Sequence, residues 1–206
     1  MIKRYLNFKF SEFTTNKNFN FSRERILKVL PAKNLIDAHK LISNWKGYKK
    51  TPLTNLEILS KKLGTNKIFY KDESKRFNLK SFKALGGAYA VEKIVKNKKN
   101  IIVSTATAGN HGKSVSWGAN KIGIKCKIFI SKNVSNTRSL EMEKLGAEVI
   151  RVKGNYERSL KVCKEVSNRN GWKIIQDVAW RNYENVPLLT MAGYSVMIKE
   201  ISGQTK

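Results

Sequence analysis

From Lys67 onward, short apolar runs alternate with longer segments of helical periodicity, and this alternation constrains the fold more than any other feature of the chain. The runs are KIFYK (Lys67 to Lys71), IIVS (Ile101 to Ser104), KIFI (Lys127 to Ile130), EVIRV (Glu148 to Val152) and KIIQ (Lys173 to Gln176). Strands separated by connections of this length pair in parallel, and a parallel sheet needs helices over both faces. The segments between the runs supply those helices. Phe82 to Lys98 carries Leu85, Ala88, Tyr89 and Val91 at helical spacing, while Asn110 to Ile122 and Ser135 to Leu145 each start near a residue able to cap. Tyr156 to Asn168 places Leu160, Cys163 and Val166 on one face, and a last helix begins near Pro187, a favoured first-turn residue, and runs to about Ile201. The expected class is α/β, a three-layer parallel sheet with helices on both faces.

Residues 1–66 are less regular. A helix is expected from Ala32 to Trp45, then a turn at Thr51 and Pro52, then a short helix from Leu56 to Leu63 ending at Gly64. After the helix that begins near Pro187 the chain stops at SGQTK without another strand, so the sheet is expected to be incomplete at the C-terminus.

Composition limits the function classes. With 206 residues and 41% hydrophobic side chains, the chain can bury an ordinary core. Its 41 Lys and Arg against 15 Asp and Glu give a formal charge of +26, but the clusters are short and scattered, with no basic block and no cationic helix stripe. Charge of that kind gives affinity without sequence preference, and no specific nucleic-acid partner is expected. Cys126 and Cys163 lack the paired spacing of a zinc or redox site and read as buried thiols of a reducing compartment. No apolar run approaches the ~20 residues of a membrane span, and MIKRYLNFKF is not followed by a cleavable apolar stretch. No membrane partner is expected, and the cytoplasm is the expected location.

Ligands of parallel α/β proteins bind beyond the carboxyl ends of the strands, so the loops there hold the candidate site. After KIFYK, a polar loop enters a helix with Lys83 near its start and Gly86 and Gly87 one turn on. After IIVS, a run of small residues opens a helix at Gly109, Asn110, His111 and Gly112, where backbone amides favour an anionic group. After KIIQ comes Asp177. Each has a plain alternative: Lys83 as a solvated side chain, Asn110 as a helix cap, Asp177 as a turn cap. His111 and His39 have no nearby nucleophile that would form a triad, and His111 reads as structural. Spacing alone leaves the function open.

Taken together, the loops resemble one family. KDESKRFNLKSFKALGGAYA closely resembles the cofactor-lysine region of diaminopropionate ammonia-lyases, within the wider tryptophan-synthase-β-like fold, fold type II. AGNHGKSVSWGANKIG resembles the family's asparagine loop, LGAEVIRVKGNYERS its next strand and helix, and GWKIIQDVAWRNYENVPLLTMAGY a segment typical of its ammonia-lyases. The likeness covers about residues 50–200. It implies pyridoxal 5'-phosphate as cofactor, bound covalently by Lys83, with Asn110 hydrogen-bonded to the ring hydroxyl and Phe82 among the cofactor contacts. The reaction implied is α,β-elimination of 2,3-diaminopropionate to pyruvate and ammonia, with Lys83 and Asp177 as the catalytic residues and no metal.

The resemblance also implies a layout: residues 1–82 as the first part of a large cofactor domain, 83–195 as a small α/β domain, and 196–206 returning toward the large one. A small amino acid would be the substrate, and a full-length chain would form a homodimer. Two departures stand out. The family has an aspartate just before the GNH triplet, a base for one substrate enantiomer, where this chain has Ala108. Losing such a group removes about 3 to 5 kcal/mol of barrier lowering. The family's glycine-rich phosphate loop lies beyond Lys206, so the chain alone is expected to bind cofactor weakly and turn over little substrate. A threonine or serine dehydratase of the same fold, and a non-catalytic fragment or half of a split enzyme, are the alternatives.

Overall fold

The computed structural model describes residues 17, 20, 22–96, 98 and 100–205. Four parallel strands form the central sheet in the order β5 (Ala147–Val152), β4 (Lys125–Ser131), β3 (Ile102–Ala106), β6 (Lys173–Ile174). Alternation along each strand splits the core in two. Val103, Cys126, Ile128 and Ile130 face α5 (Asn110–Lys121) and, behind it, α4 (Lys83–Val95); Ala106, Phe129 and Val152 face α7 (Tyr156–Asn170) through Cys163. The helix α6 (Asn136–Glu143) packs on β5, so helices cover both faces as the sequence periodicity requires. The two cysteines are free and buried on opposite sides of the sheet.

The N-terminal third packs on the far side of α4. There α2 (Ala32–Ser43) and α8 (Asn185–Gln204) enclose a second core of Ala38, Ile42, Trp45, Leu85, Tyr89, Ala192 and Val196. A short helix, α1 (Arg23–Val29), precedes them, capped by the Ser22 hydroxyl accepting from Arg25 N. Small residues allow the helices to approach closely. A Cβ on Gly118 of α5 would stand 2.6 Å from Ala88 Cα, and one on Gly193 of α8 would stand 2.2 Å from the Leu85 carbonyl oxygen.

Four readings of the sequence need correction. KIFYK does not join the parallel sheet: β2 (Phe69–Lys71) pairs antiparallel with β1 (Leu53–Asn55), Leu53 opposite Lys71. Phe69 and Tyr70 are 41% and 54% exposed, whereas a parallel strand is covered on both faces, and the nearest partner is the segment just before α3 (Glu57–Leu63). Thr51 and Pro52 therefore lead into a strand and do not form a turn; Asp72 N donates to Pro52 O at 2.9 Å. KIIQ forms only a two-residue ladder, because the Gln176 side chain takes over from the backbone. Its Oε1 accepts from Ala106 N and its Nε2 donates to Ala106 O, both at 3.1 Å. Finally, Asn110 is not the cap of α5. Gly109 holds that position, and no side chain caps the helix.

A buried ionic cluster ties the N-terminal third to α8. Arg76, 1% exposed within a 3₁₀ turn (Glu73–Asn78), donates to both carboxylate oxygens of Glu200 at 2.8 Å and to Glu73 at 2.8 and 2.9 Å. Lys71 Nζ reaches Glu200 at 2.8 Å, and Tyr48 donates to it at 2.9 Å. Burial pushes the Glu200 carboxyl up, but the hydrogen bonds of Arg76 and Lys71 prevail and hold it down at about 2.

Candidate active site

Lys83 is the first residue of α4, and the chain is bent sharply to put it there. Phe77, Asn78 and Lys80 adopt φ of 47°, 60° and 57°, a left-handed conformation that costs a side-chain-bearing residue energy and persists where its surroundings enforce it. Ser81 then accepts from Lys83 N at 3.1 Å. On the other side, the Ser114 hydroxyl of α5 donates to Lys83 O at 2.7 Å and accepts from Ala88 N at 3.0 Å. The turn of helix that carries Lys83 is thereby fixed by its neighbour and not only by its own ladder.

Asp177 arrives from the sheet. Ile175 N donates to Ser104 O at 2.7 Å, the Gln176 amide clamps Ala106, and Tyr183 Oη accepts from Gln176 N and donates to Ile174 O, both at 2.8 Å. Trp180 stacks on Tyr183 at 3.8 Å, and Tyr156 accepts from Gln176 Nε2 at 3.0 Å. This brace projects the next side chain, Asp177, over the end of β3.

There Lys83 Nζ donates to Asp177 Oδ2 at 3.0 Å, with the two side chains 30% and 21% exposed. The two residues chosen from the sequence as catalytic are thus in contact across 94 positions of chain. Burial pushes the Lys83 amine down, but Asp177 and Tyr194 more than offset it and hold it above its ordinary value. Burial pushes Asp177 up, while the fields of His111 and Lys83 and the Lys83 hydrogen bond outweigh it and keep the carboxyl below the ordinary range.

His111, read from the sequence as structural, faces the same carboxylate. Its Nε2 lies 2.9 Å from the Ile175 carbonyl, which can only accept, so Nε2 carries the hydrogen. Its Nδ1 is buried with no hydrogen-bond partner and lies 3.6 Å from Asp177 Oδ2. Burial pushes the imidazole pKa down, so the ring is neutral at pH 7, where the Lys83 ammonium is the charged group beside Asp177; the imidazole adds its own field only once it is protonated.

Aromatic rings wall the amine. Lys83 Nζ lies 5.7 Å from the Phe82 ring centre and 5.3 Å from that of Tyr194, and the two rings meet edge to face at 5.0 Å. The Tyr194 hydroxyl is buried without a partner. Nothing in the sequence singled out Tyr194: it lies on α8, far along the chain, in a helix whose apolar residues read as core. Asn110 is exposed at the start of α5 and makes no hydrogen bond to Lys83, Asp177 or His111. With Ala108, Gly109, Lys113, Arg138 and Glu141 it lines a small cavity of about 180 Å³. Gly86 and Gly87, the chain's one adjacent pair, are filled by Tyr194 and Ser114 and serve helix packing. Gly109 has open space where a side chain would stand.

Residues 45–206 match the family model described as "Pyridoxal-phosphate dependent enzyme". The chain belongs to this family. It is 33% identical to diaminopropionate ammonia-lyase of Escherichia coli (strain K12) over 95% of its own length and 53% of that protein's. It is 29% identical to the biosynthetic L-threonine dehydratase IlvA of Lactococcus lactis, over 86% of this chain and 41% of that one. The apo crystal structure of the Escherichia coli diaminopropionate ammonia-lyase superposes with a TM-score of 0.83 at 32% identity, covering 93% of this chain and 56% of that one. A threonine deaminase of Solanum lycopersicum, at 23% identity and a TM-score of 0.71, shares the fold. The chain spans about half the length of the curated relatives it matches. The three-layer parallel α/β arrangement is that of fold type II enzymes, and the family's cofactor is pyridoxal phosphate. The residues present fit its aldehyde end: one primary amine, anchored by its own helix turn, beside aromatic faces and a carboxylate. Among the described residues, no group of three His, Cys, Asp or Glu side chains stands close enough to hold a metal, and no helix is long and apolar enough to cross a membrane.

Proposed function

We propose that this chain is the lysine-bearing part of a pyridoxal-phosphate-dependent ammonia-lyase that converts 2,3-diaminopropionate to pyruvate and ammonia by α,β-elimination. The observation that carries the reading is the Lys83 to Asp177 contact at 3.0 Å, walled by Phe82 and Tyr194. Pyridoxal phosphate, when bound, supplies an electron sink for charge developing at the substrate's α-carbon.

The protein's residues have the remaining tasks. Lys83 would hold the cofactor through its amine, and its Nζ, when free, would carry protons. Asp177, kept ionised beside Lys83, takes the α-proton at Oδ2. Phe82 and Tyr194 flank the amine with apolar ring faces, and Asn110 would hydrogen-bond the cofactor's ring hydroxyl. Ala108 offers no base on its side of the site, so one enantiomer of the substrate is handled well and the other poorly. In this reading residues 83–195 form the small domain, residues 1–82 and 196–206 belong to a larger one, and the enzyme works as a cytoplasmic homodimer.

The test is trapping. Pyridoxal phosphate added to the chain is reduced onto the protein with borohydride and the label located by peptide mapping. Label concentrated on Lys83 and lost in Lys83→Ala is the expected result. Label spread over the many surface lysines would sink the proposal. Pyruvate from diaminopropionate, against 2-oxobutyrate from threonine, separates the ammonia-lyase from a dehydratase of the same fold.

A further inference from the structure

The hydrogen bonding of His111 leaves a defined gap. Nε2 must carry its hydrogen because its partner at 2.9 Å is the Ile175 carbonyl. In the neutral ring Nδ1 is then a bare acceptor, buried and without a partner, and the atom opposite it at 3.6 Å is Asp177 Oδ2, also an acceptor. Two acceptors face each other across a space that one proton would close. A charge-assisted N–H···O bond spans about 2.7–2.9 Å, so closing it needs a movement of under an ångström.

The same Oδ2 already takes a hydrogen from Lys83 at 3.0 Å. Lys83 and His111 thus flank one carboxylate oxygen, and Lys83 alone bears the charge. If that ammonium charge is withdrawn, as it must be whenever the amine is used to bind a carbonyl group, Asp177 is left partly buried beside a neutral ring. We propose that His111 is a positioning residue that acts through Asp177: when Lys83 loses its charge, one proton from solvent is bound at His111 Nδ1, and the resulting imidazolium holds Asp177 ionised and aimed. One positive charge leaves and one enters, and the carboxylate keeps a partner throughout. The use of this exchange in catalysis rests on the function proposed above; the exchange itself is a property of these three side chains.

The groups acting on His111 are few. Asp177, from the loop after β6, favours its charged form, and Lys83, from α4, opposes it. Tyr194 of α8 faces Lys83, and Tyr156 of α7 and Tyr183 lie in the field of Asp177. Burial raises all three tyrosines above their ordinary value, so they stay neutral across the range in which a histidine titrates.

The chain has two histidines, His39 and His111, which makes the test direct. The full chain is labelled with ¹⁵N-histidine, the signals are assigned with His39→Gln, and protonation is read from ring nitrogen shifts across pH. In the wild type His111 should be neutral at pH 7 with its hydrogen on Nε2. In Lys83→Met its titration should move up, because the Lys83 ammonium is one of the groups that oppose its charge. Lys83→Arg, which keeps the charge, should leave it near wild type, and Lys83→Met with Asp177→Asn should abolish the rise. His39 is the internal control for a general change of fold.

An unchanged His111 titration in folded Lys83→Met overturns the proposal. A wild-type His111 with its hydrogen on Nδ1 overturns it without any variant. Failure of pyridoxal phosphate to label Lys83 would count against the function and leave these measurements standing, so the two readings fail separately.

Discussion

Glu200→Gln should be among the most damaging single changes outside the candidate site. The carboxylate accepts from Tyr48 and one Arg76 nitrogen at Oε1, and from Thr51 N, the other Arg76 nitrogen and Lys71 at Oε2. A glutamine amide can accept at only one of its two positions, so at least two of these donors would meet an N–H₂ group. Arg76, whose side chain is 1% exposed, would be left with Glu73 as its one carboxylate, and Lys71, at 8%, would lose its carboxylate partner. Breaking a buried pair by removing one partner costs about 3–5 kcal/mol. The proton linkage gives a similar size. Holding a carboxyl at about 2 when its ordinary value is 4.5 corresponds to about 3.4 kcal/mol. Because the folded value is the lower one, this stabilisation is complete above pH 4.5, is lost as the pH falls, and is gone near pH 2. Urea unfolding at pH 7 is the assay, with thermal unfolding expected to show a drop of roughly 10 °C at about 2–4 °C per kcal/mol. Glu73→Gln, which leaves Arg76 its Glu200 partner, should cost less. A Glu200→Gln protein within about 1 kcal/mol of wild type would refute the reasoning.

Further outcomes follow from the helix contacts and the site. Gly193→Ala should cost about 1–3 kcal/mol or more in chemical unfolding, because the new methyl meets the Leu85 carbonyl, a backbone atom that cannot turn aside. Ser114→Ala leaves Lys83 O without its hydroxyl donor and should cost about 1–3 kcal/mol, read in the same assay. Asp177→Asn removes the group that holds the Lys83 amine protonated, so burial then lowers its pKa; the amine should react faster with pyridoxal phosphate at neutral pH, measured by the rate of borohydride trapping. Cys126 and Cys163 should be silent to a thiol reagent in the native protein and react on unfolding, since burial pushes the Cys126 thiol up to about 12 and raises Cys163 as well.

How much of this was legible in the sequence depended on burial. Strands β3 and β4 lie inside the sheet and are covered on both faces, so their apolar runs stand out, while the edge strand β5 buries Ala147 and Val152 and exposes Glu148 and Arg151; the helices between follow from spacing. The β1–β2 ribbon carries the run KIFYK but leaves Phe69 and Tyr70 exposed, so that run pointed to the wrong sheet, and β6 is short because a side-chain amide does the work of two backbone groups. Lys83 was legible from its neighbours in the chain, and Asp177 from its place after a strand. Arg76 and Glu200 were not, being partners 124 positions apart in a chain with 41 basic residues, where no single arginine stands out. His111 was visible as a residue, but what it does depends on which acceptor each ring nitrogen meets, and that exists only in three dimensions.

One helix joins the two charged centres. In α8, Gly193 lets the backbone settle against Leu85 and Gly86, which brings Tyr194 against Lys83. Six residues further along, Glu200 of the same helix reaches Arg76, in the bent segment that leads directly into Lys83. The left-handed residues Phe77, Asn78 and Lys80 thus lie between an anchored guanidinium and an anchored helix turn. Their strain is sustained because both ends are held, one by a buried ion pair and the other by the Ser114 hydroxyl. Loosening either end should therefore act on the other. Glu200→Gln, made far from the amine, is expected to weaken Lys83 labelling by pyridoxal phosphate under conditions where the chain is still folded. Labelling that stays at the wild-type level would mean that the ionic cluster stabilises the fold without positioning the lysine.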